Sequence, residues 1–211
     1  MRIGVVTDIH DAVEELAGAL AVLRREGVDA VVNLGDATDA FGSHNRADEV
    51  VVLLREAGAV SVWGNHDHGL CGAVEEHVQA RYSREALAYF AEARPRIELG
   101  GCHFSHVEPW IDADDIAALW HYDGLPRTPE LLARTFAAFR GASAFVGHHH
   151  RWFATTASDV VPWDGTTPLR LEAGERYLVA VAPVFQGAFS VVDTTAGIVT
   201  PHRLTTTAEA P

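Results

Sequence analysis

The segment Arg2-Ile3-Gly4-Val5-Val6-Thr7-Asp8-Ile9-His10 joins a short apolar run to two side chains of metal-binding type. The run has the composition of a buried strand, and Thr7 to His10 read as the loop at its carboxyl end. The same join recurs down the chain. Ala30-Val31-Val32 leads to Gly35-Asp36-Ala37-Thr38-Asp39, Val60-Ser61-Val62-Trp63 to Gly64-Asn65-His66-Asp67, and Ala144-Phe145-Val146 to Gly147-His148-His149-His150. A single His106 ends a further apolar stretch. Each fragment alone is weak evidence, since Asp-x-His or Gly-Asp occurs in ordinary loops; all five in this order are strong evidence.

Between these runs the apolar residues return at helical spacing. Val13, Leu16, Leu20 and Leu23 lie on one helical face, and Asp11 with Glu14 forms a capping box at its start. Further helices are expected at 47–57, 75–82, 84–93 and 129–140. Strands alternating with helices indicate an α/β fold. After Arg151 the texture turns to Thr, Val and Gly, with strands expected at 177–181 and 189–192, a turn at 194–197 and a second sheet packed on the first. One domain is expected over 1–204, with a frayed, disordered tail at 205–211. The acidic stretch 108–129 carries Trp110, Trp120, His121 and Tyr122, and reads as a partly helical flap or as aromatics covering the core.

Composition narrows the function. With 48% hydrophobic and 21% charged residues the chain has the balance of a globular protein. No apolar run approaches the roughly 20 residues of a membrane span, and no leader precedes the first strand, so a cytoplasmic location and no membrane partner are expected. Cys71 and Cys102 stand far apart, which leaves the chemistry to oxygen and nitrogen ligands. Net charge is −13, from 16 Lys plus Arg against 29 Asp plus Glu, without a basic stripe, so nucleic acid is an unfavourable partner. The oligomeric state is left open.

In open α/β sheets ligands collect beyond the carboxyl ends of strands, which is where the motifs fall. Asp8 and His10, like His148 and His150, are two residues apart, and in extended backbone would leave on one face. With bridging carboxylate and carboxamide oxygens they make a mixed ligand set for two divalent ions roughly 3.5 to 4 Å apart. Such donors suit Mn, Fe, Zn, Co or Ni better than Ca, with Mn favoured. Asp11 reads as a helix cap rather than a ligand, Asp67 as a loop-stabilising acceptor, and His149 as pointing away from its neighbours. His106, at the end of its strand, is preferred to His103 inside it. His44, His68 and His121 read as surface or core residues that could line the cleft.

The order Asp-x-His, Gly-Asp-x-x-Asp, Gly-Asn-His-Asp, His and Gly-His-x-His resembles the calcineurin-like metallophosphoesterase superfamily over most of the chain. The resemblance implies a four-layer α-β-β-α sandwich with two mixed sheets and a dinuclear metal site. It implies that Asp8, His10 and His150 hold one ion, that Asn65, His106 and His148 hold the other, and that Asp36 bridges them. His66 would be the catalytic histidine facing the leaving group, oriented by Asp39, and hydroxide between the ions the nucleophile. The substrate would be a small-molecule phosphomonoester or phosphodiester. A non-catalytic metal-binding scaffold or a nuclease would be the alternatives.

Some positions depart from particular branches. Ser/Thr protein phosphatases carry arginines where this chain has Ala40 and Trp63-Gly64, and purple acid phosphatases a tyrosine where it has Asp39. The small prokaryotic phosphoesterases are more similar, through Leu34-Gly35-Asp36 and Gly42-Ser43. Arg46 and Arg151 are the nearest candidate phosphate-binding cations in sequence, and Phe41, Trp63, Trp110 and Trp152 could stack on a base or aromatic leaving group or serve the core.

Overall fold

The computed structural model describes residues 1–39, 45–67 and 69–205. In chain order the elements are β1 (Arg2–Val6), α1 (Val13–Glu26), β2 (Ala30–Asn33), α2 (Ala47–Glu56), β3 (Val60–Ser61), α3 (Glu76–Gln79), α4 (Arg84–Glu92), β4 (Ile97–Leu99) and β5 (Cys102–Ser105). They continue as α5 (Pro129–Ala137), β6 (Ser143–Val146), β7 (Phe153–Thr156), β8 (Val160–Val161), β9 (Leu169–Arg170), β10 (Tyr177–Ala180), β11 (Ala188–Asp193) and β12 (Ile198–Arg203). One sheet runs β3-β2-β1-β11-β12-β9 and the other β4-β5-β6-β10-β7-β8. Both are mixed: β1, β2 and β3 are parallel, as are β5, β6 and β10, and the remaining pairings are antiparallel.

Alternation along the strands builds four layers. Ile3, Val5 and Val32 of the first sheet meet Phe104, Phe145 and Val179 of the second in a central cluster. Val6 and Val31 turn the other way, onto Leu16 and Leu23 of α1, Val50 and Leu54 of α2, and Phe90 of α4. On the far side Ala144, Val146, Leu178 and Ala180 receive Leu132 and Phe136 of α5. The α-β-β-α order results, because each sheet has two apolar faces and each outer face needs a helical cover.

Several sequence expectations change in detail. The capping box does not form. The N-cap of α1 is Ala12, without a side-chain cap bond. Asp11 adopts a left-handed φ of 63° and sends its carboxylate elsewhere. The third strand stops at Ser61 and Val62 makes only a bridge to Arg94. The helix expected at 75–82 is the short α3, with no buried residue. The 108–129 stretch contains one 3-10 turn, Ile116–Trp120, and Val107 just before it joins Ile111, Ala113 and Leu119 in a small core. The expected frayed tail lies outside the described residues except for Thr205. No helix among the described residues is long and apolar enough to cross a membrane.

Candidate metal centre

Parallel strands β1, β2, β5 and β6 end at the same edge of the sandwich, and the loops that leave them converge there. The turns are sharp. Asp8, His10, Asp36, His148 and His150 all have positive φ, between 47° and 62°. Residues with a Cβ rarely adopt this region. The pairs Asp8/His10 and His148/His150 therefore do not meet through extended backbone; left-handed turns aim them inward, a correction to the alternation argument. Backbone amides fasten the loops to one another: Asp8 N donates to Gly35 O at 3.0 Å, and Ile9 N to Asp36 O at 2.7 Å.

Asp8, His10, Asp36 and His150 each present one ligand atom, and these atoms lie within 4.8 Å of one another. His150 Nε2 is 3.1 Å from Asp8 Oδ1, and His10 Nε2 is 3.6 Å from Asp36 Oδ2. His10 Nε2 is buried without a hydrogen-bond partner. On the other side of Asp36, its Oδ2 lies 3.3 Å from His106 Nε2. Asn65 Oδ1 is 2.9 Å from both His106 Nε2 and His148 Nδ1. His106 Nδ1–H donates to Leu34 O at 2.7 Å, which turns the Nε2 lone pair toward Asp36 and Asn65. Oxygen and nitrogen ligand atoms thus converge in a buried space, an arrangement that suits a divalent cation. Asp8, His10, Asp36 and His150 fit a divalent metal ion.

The electrostatics have the same origin. Burial pushes the Asp36 carboxyl up, but His106, His10 and the His66 N–H outweigh it and hold Asp36 well below the usual carboxylate range. Burial disfavours the His106 cation, yet the Asp36 charge raises its pKa to about 9. His148, buried and beside His106 and His149, is pushed down to about 4, which keeps its ring neutral. His150 is raised by its hydrogen bond to Asp8.

His66 stands beside this cluster, its ring centroid 4.7 Å from that of His10. Its backbone N–H donates to Asp36 Oδ1 at 2.7 Å and its Nδ1 lies 3.2 Å from Asp39 Oδ1. All nine residues singled out in the sequence, Asp8, His10, Asp36, Asp39, Asn65, His66, His106, His148 and His150, therefore come together at one edge. His103 does not: its Nδ1 is bound to Glu98 Oε1 at 2.6 Å and its ring faces Phe139.

Supporting residues were less legible. Thr7 Oγ1 donates to Asp8 Oδ2 at 2.6 Å, and the His148 N–H to both Asp8 oxygens. Asp11 receives the Thr38 hydroxyl at 2.8 Å and the Asp39 N–H at 3.3 Å, joining the first two motif loops. Asp67 receives the N–H groups of Ala37, Thr38 and Gly64, as its reading as a loop acceptor required. Burial and the Asp36 charge push its carboxyl up, opposed by the N–H groups of Thr38 and Gly64. His149 turns away from the cluster and its Nε2 lies 3.1 Å from the buried Glu108. The only signal for Thr7, Asp11 and Glu108 in the sequence is nearness to a motif.

Other candidates lie elsewhere. Arg46 is engaged by Glu14 and Glu49, which takes it out of phosphate binding. Arg151 is exposed and its Nε donates to His149 O at 3.3 Å. Trp63 packs against two core clusters, Trp152 packs on Trp163, and Trp110 lies under the Arg134 guanidinium, 3.4 Å from its ring centroid. His121 pairs with Asp123 at 3.0 Å. Phe41, His44 and His68 lie outside the described residues.

A two-sheet α/β sandwich with a cluster of Asp, Asn and His at converging strand ends is the scaffold of a metal-binding hydrolase. Residues 1–175 match the calcineurin-like phosphoesterase superfamily domain, and the chain belongs to that superfamily. A metallophosphoesterase from Sphaerobacter thermophilus is 26% identical with a TM-score of 0.74, over 97% of this chain and 88% of that one. A hypothetical protein from Pyrococcus horikoshii OT3 shares the fold at 13% identity and a TM-score of 0.66, over 96% of this chain and 87% of its own. An uncharacterized protein of Methanocaldococcus jannaschii is 25% identical over 193 residues, 87% of this chain and 76% of that protein. Membership carries the general class, a phosphoester hydrolase that binds divalent metal ions.

Proposed function

We propose that this single domain, spanning 1–204, hydrolyses a phosphomonoester or phosphodiester of a small molecule with two divalent ions, manganese foremost. The observation that carries this reading is the facing of histidine nitrogens across Asp36, with His106 Nε2 at 3.3 Å on one side and His10 Nε2 at 3.6 Å on the other. Asp8, His10 and His150 would hold one ion, Asn65, His106 and His148 the other, and Asp36 both. When bound, the ions supply positive charge to the phosphate oxygens and lower the pKa of water in the site.

The chain's own groups do the rest. Asp36 and Asp8 reduce the charge of the centre without cancelling it, so an anionic phosphate is still attracted. His66, with Nδ1 3.2 Å from Asp39 Oδ1, would donate a proton to the departing alkoxide. Thr7 and the His148 amide hold Asp8 in one orientation. No side chain need form a covalent phosphoenzyme.

Hydrolysis of p-nitrophenyl phosphate and bis-p-nitrophenyl phosphate tests the reading. Metal-stripped protein resupplied with Mn should turn over one of them, and His66→Ala and Asp36→Asn should each lose roughly 100-fold or more in kcat. Turnover that survives both substitutions would refute the assignment. Two tightly bound ions without turnover of either ester would favour the scaffold alternative.

A further inference from the structure

Among the described residues three Phe, Tyr or Trp side chains are exposed, and all three border the site. Trp120, 47% exposed, has its ring centroid 5.2 Å from that of His66. Tyr122, 54% exposed, lies 5.7 Å from the His148 ring and 5.5 Å from the His149 ring. Phe185, 37% exposed, meets His150 at 5.1 Å and His10 at 5.5 Å. One exposed apolar ring is unremarkable, but rings gathered along the edge of a polar centre mark a binding surface.

Hydrogen-bonded turns carry Trp120 and Phe185. Trp120 closes the 3-10 turn Ile116–Trp120, whose cap residue Asp115 accepts the Ala117 N–H at 3.0 Å. Phe185 belongs to the turn Val184–Gln186, and Val184 N donates to Thr7 O at 2.9 Å, immediately before Asp8. A flat surface positioned in advance stacks on a flat ligand with little ordering cost. The net charge of −13 makes the approach of a highly charged substrate unfavourable, and Arg46 is already engaged by two glutamates. Recognition by ring stacking fits an ester of low charge.

We propose that the alcohol released in the reaction carries a planar aromatic group, a nucleobase or an aryl ring, which seats on Trp120 and Tyr122 beside His66. This rests on the phosphoesterase reading and adds the class of ester. His66, as the group that protonates the departing oxygen, places the leaving alcohol on the Trp120 side. Phe185 borders His10 and His150 and would contact the remainder of the substrate.

The test is calorimetric binding of benzylphosphonate and cyclohexylmethylphosphonate to the Mn-loaded protein. The two share charge and bulk and differ in flatness. Benzylphosphonate should bind about tenfold more tightly, and the preference should fall toward one in Trp120→Leu and in Tyr122→Leu, each an exposed position checked for folding by circular dichroism. Equal affinity in the wild type, or a preference that survives in both variants, overturns the proposal. Hydrolysis of thymidine 5′-phosphate against benzyl phosphate then separates the two sources of the ring, higher kcat/KM for either supporting the shared chemistry. If p-nitrophenyl esters also resist hydrolysis and neither phosphonate binds, the underlying phosphoesterase reading fails and takes this proposal with it. Normal p-nitrophenyl turnover with equal phosphonate affinities sinks the aromatic subsite alone.

Discussion

On the proposed ligand assignment, His106 is the residue where metal and proton would compete. Its Nδ1–H is committed to Leu34 O, and its Nε2 faces Asp36 and Asn65, so the position beyond Nε2 holds either a proton or a cation. Burial alone would lower its pKa, but Asp36 raises it to about 9. Below that pH a proton must leave before an ion can bind. Mn affinity is expected to rise about tenfold per pH unit from 7 toward 9 and then to level, with about one proton released per binding event. Calorimetry in two buffers of different ionisation enthalpy measures that proton, and a flat profile across this range would refute the competition. Asp67 is a second residue-scale case. Its Oδ1 accepts from Ala37 and Thr38 and its Oδ2 from Gly64, so an amide at this position sets a donor against a donor. Asp67→Asn should cost about 1–3 kcal/mol in urea unfolding. No loss of stability would mean that the loops do not depend on this carboxylate.

Loops rather than helices or strands carry the chemistry, and they approach one another at glycines. A Cβ on Gly64 would lie 2.0 Å from Asp36 N and 2.2 Å from Asp36 Oδ1, and one on Gly147 would lie 2.0 Å from Thr7 Oγ1. These two motif glycines thus allow the neighbouring loop to pass. Gly64→Ala must push Asp36 aside, and should cost roughly 1–3 kcal/mol in stability and most of the Mn affinity. A melt with and without Mn shows both effects, and wild-type Mn binding in this variant would refute the close-approach reading. The element scale also shows what the sequence could carry. Val5-Val6 followed by Asp8-x-His10 states both a strand and its functional end, because an apolar run and a polar loop are local properties. The absent capping box and the binding of Asp11 to Thr38 were hidden, because a left-handed turn and a partner 27 residues away leave no local pattern. Trp120, Tyr122 and Phe185 were equally hard to rank against Trp63 or Trp152, since only packing divides a covered ring from an exposed one.

At the scale of the whole molecule the proposed metal centre would be a cross-link between the two sheets. Asp8, His10, Asp36 and Asn65 come after strands β1, β2 and β3 of one sheet, while His106, His148 and His150 come after β5 and β6 of the other. The Asp8, Asp36 and Asp67 carboxyl groups are buried close to the edge where these loops meet. Without cations Asp36 is balanced only by His106, His10 and the His66 N–H, and bound cations would draw the same groups, and with them the sheets, together. An ion at a hundred times its Kd stabilises the folded chain by about 2.7 kcal/mol, which corresponds to roughly 5–10 °C in Tm for a chain of this size. EDTA should therefore lower Tm by that amount relative to Mn-saturated protein, and Asp36→Asn should abolish most of the difference. In EDTA the same variant should melt below the wild type, because it removes the charge paired with the buried His106 while keeping the Oδ1 acceptor for the His66 N–H. A wild-type Tm indifferent to EDTA would show that the sheets close without help from the ions. The order of the two melting curves in EDTA would still separate a site that costs the apo fold stability from one that does not.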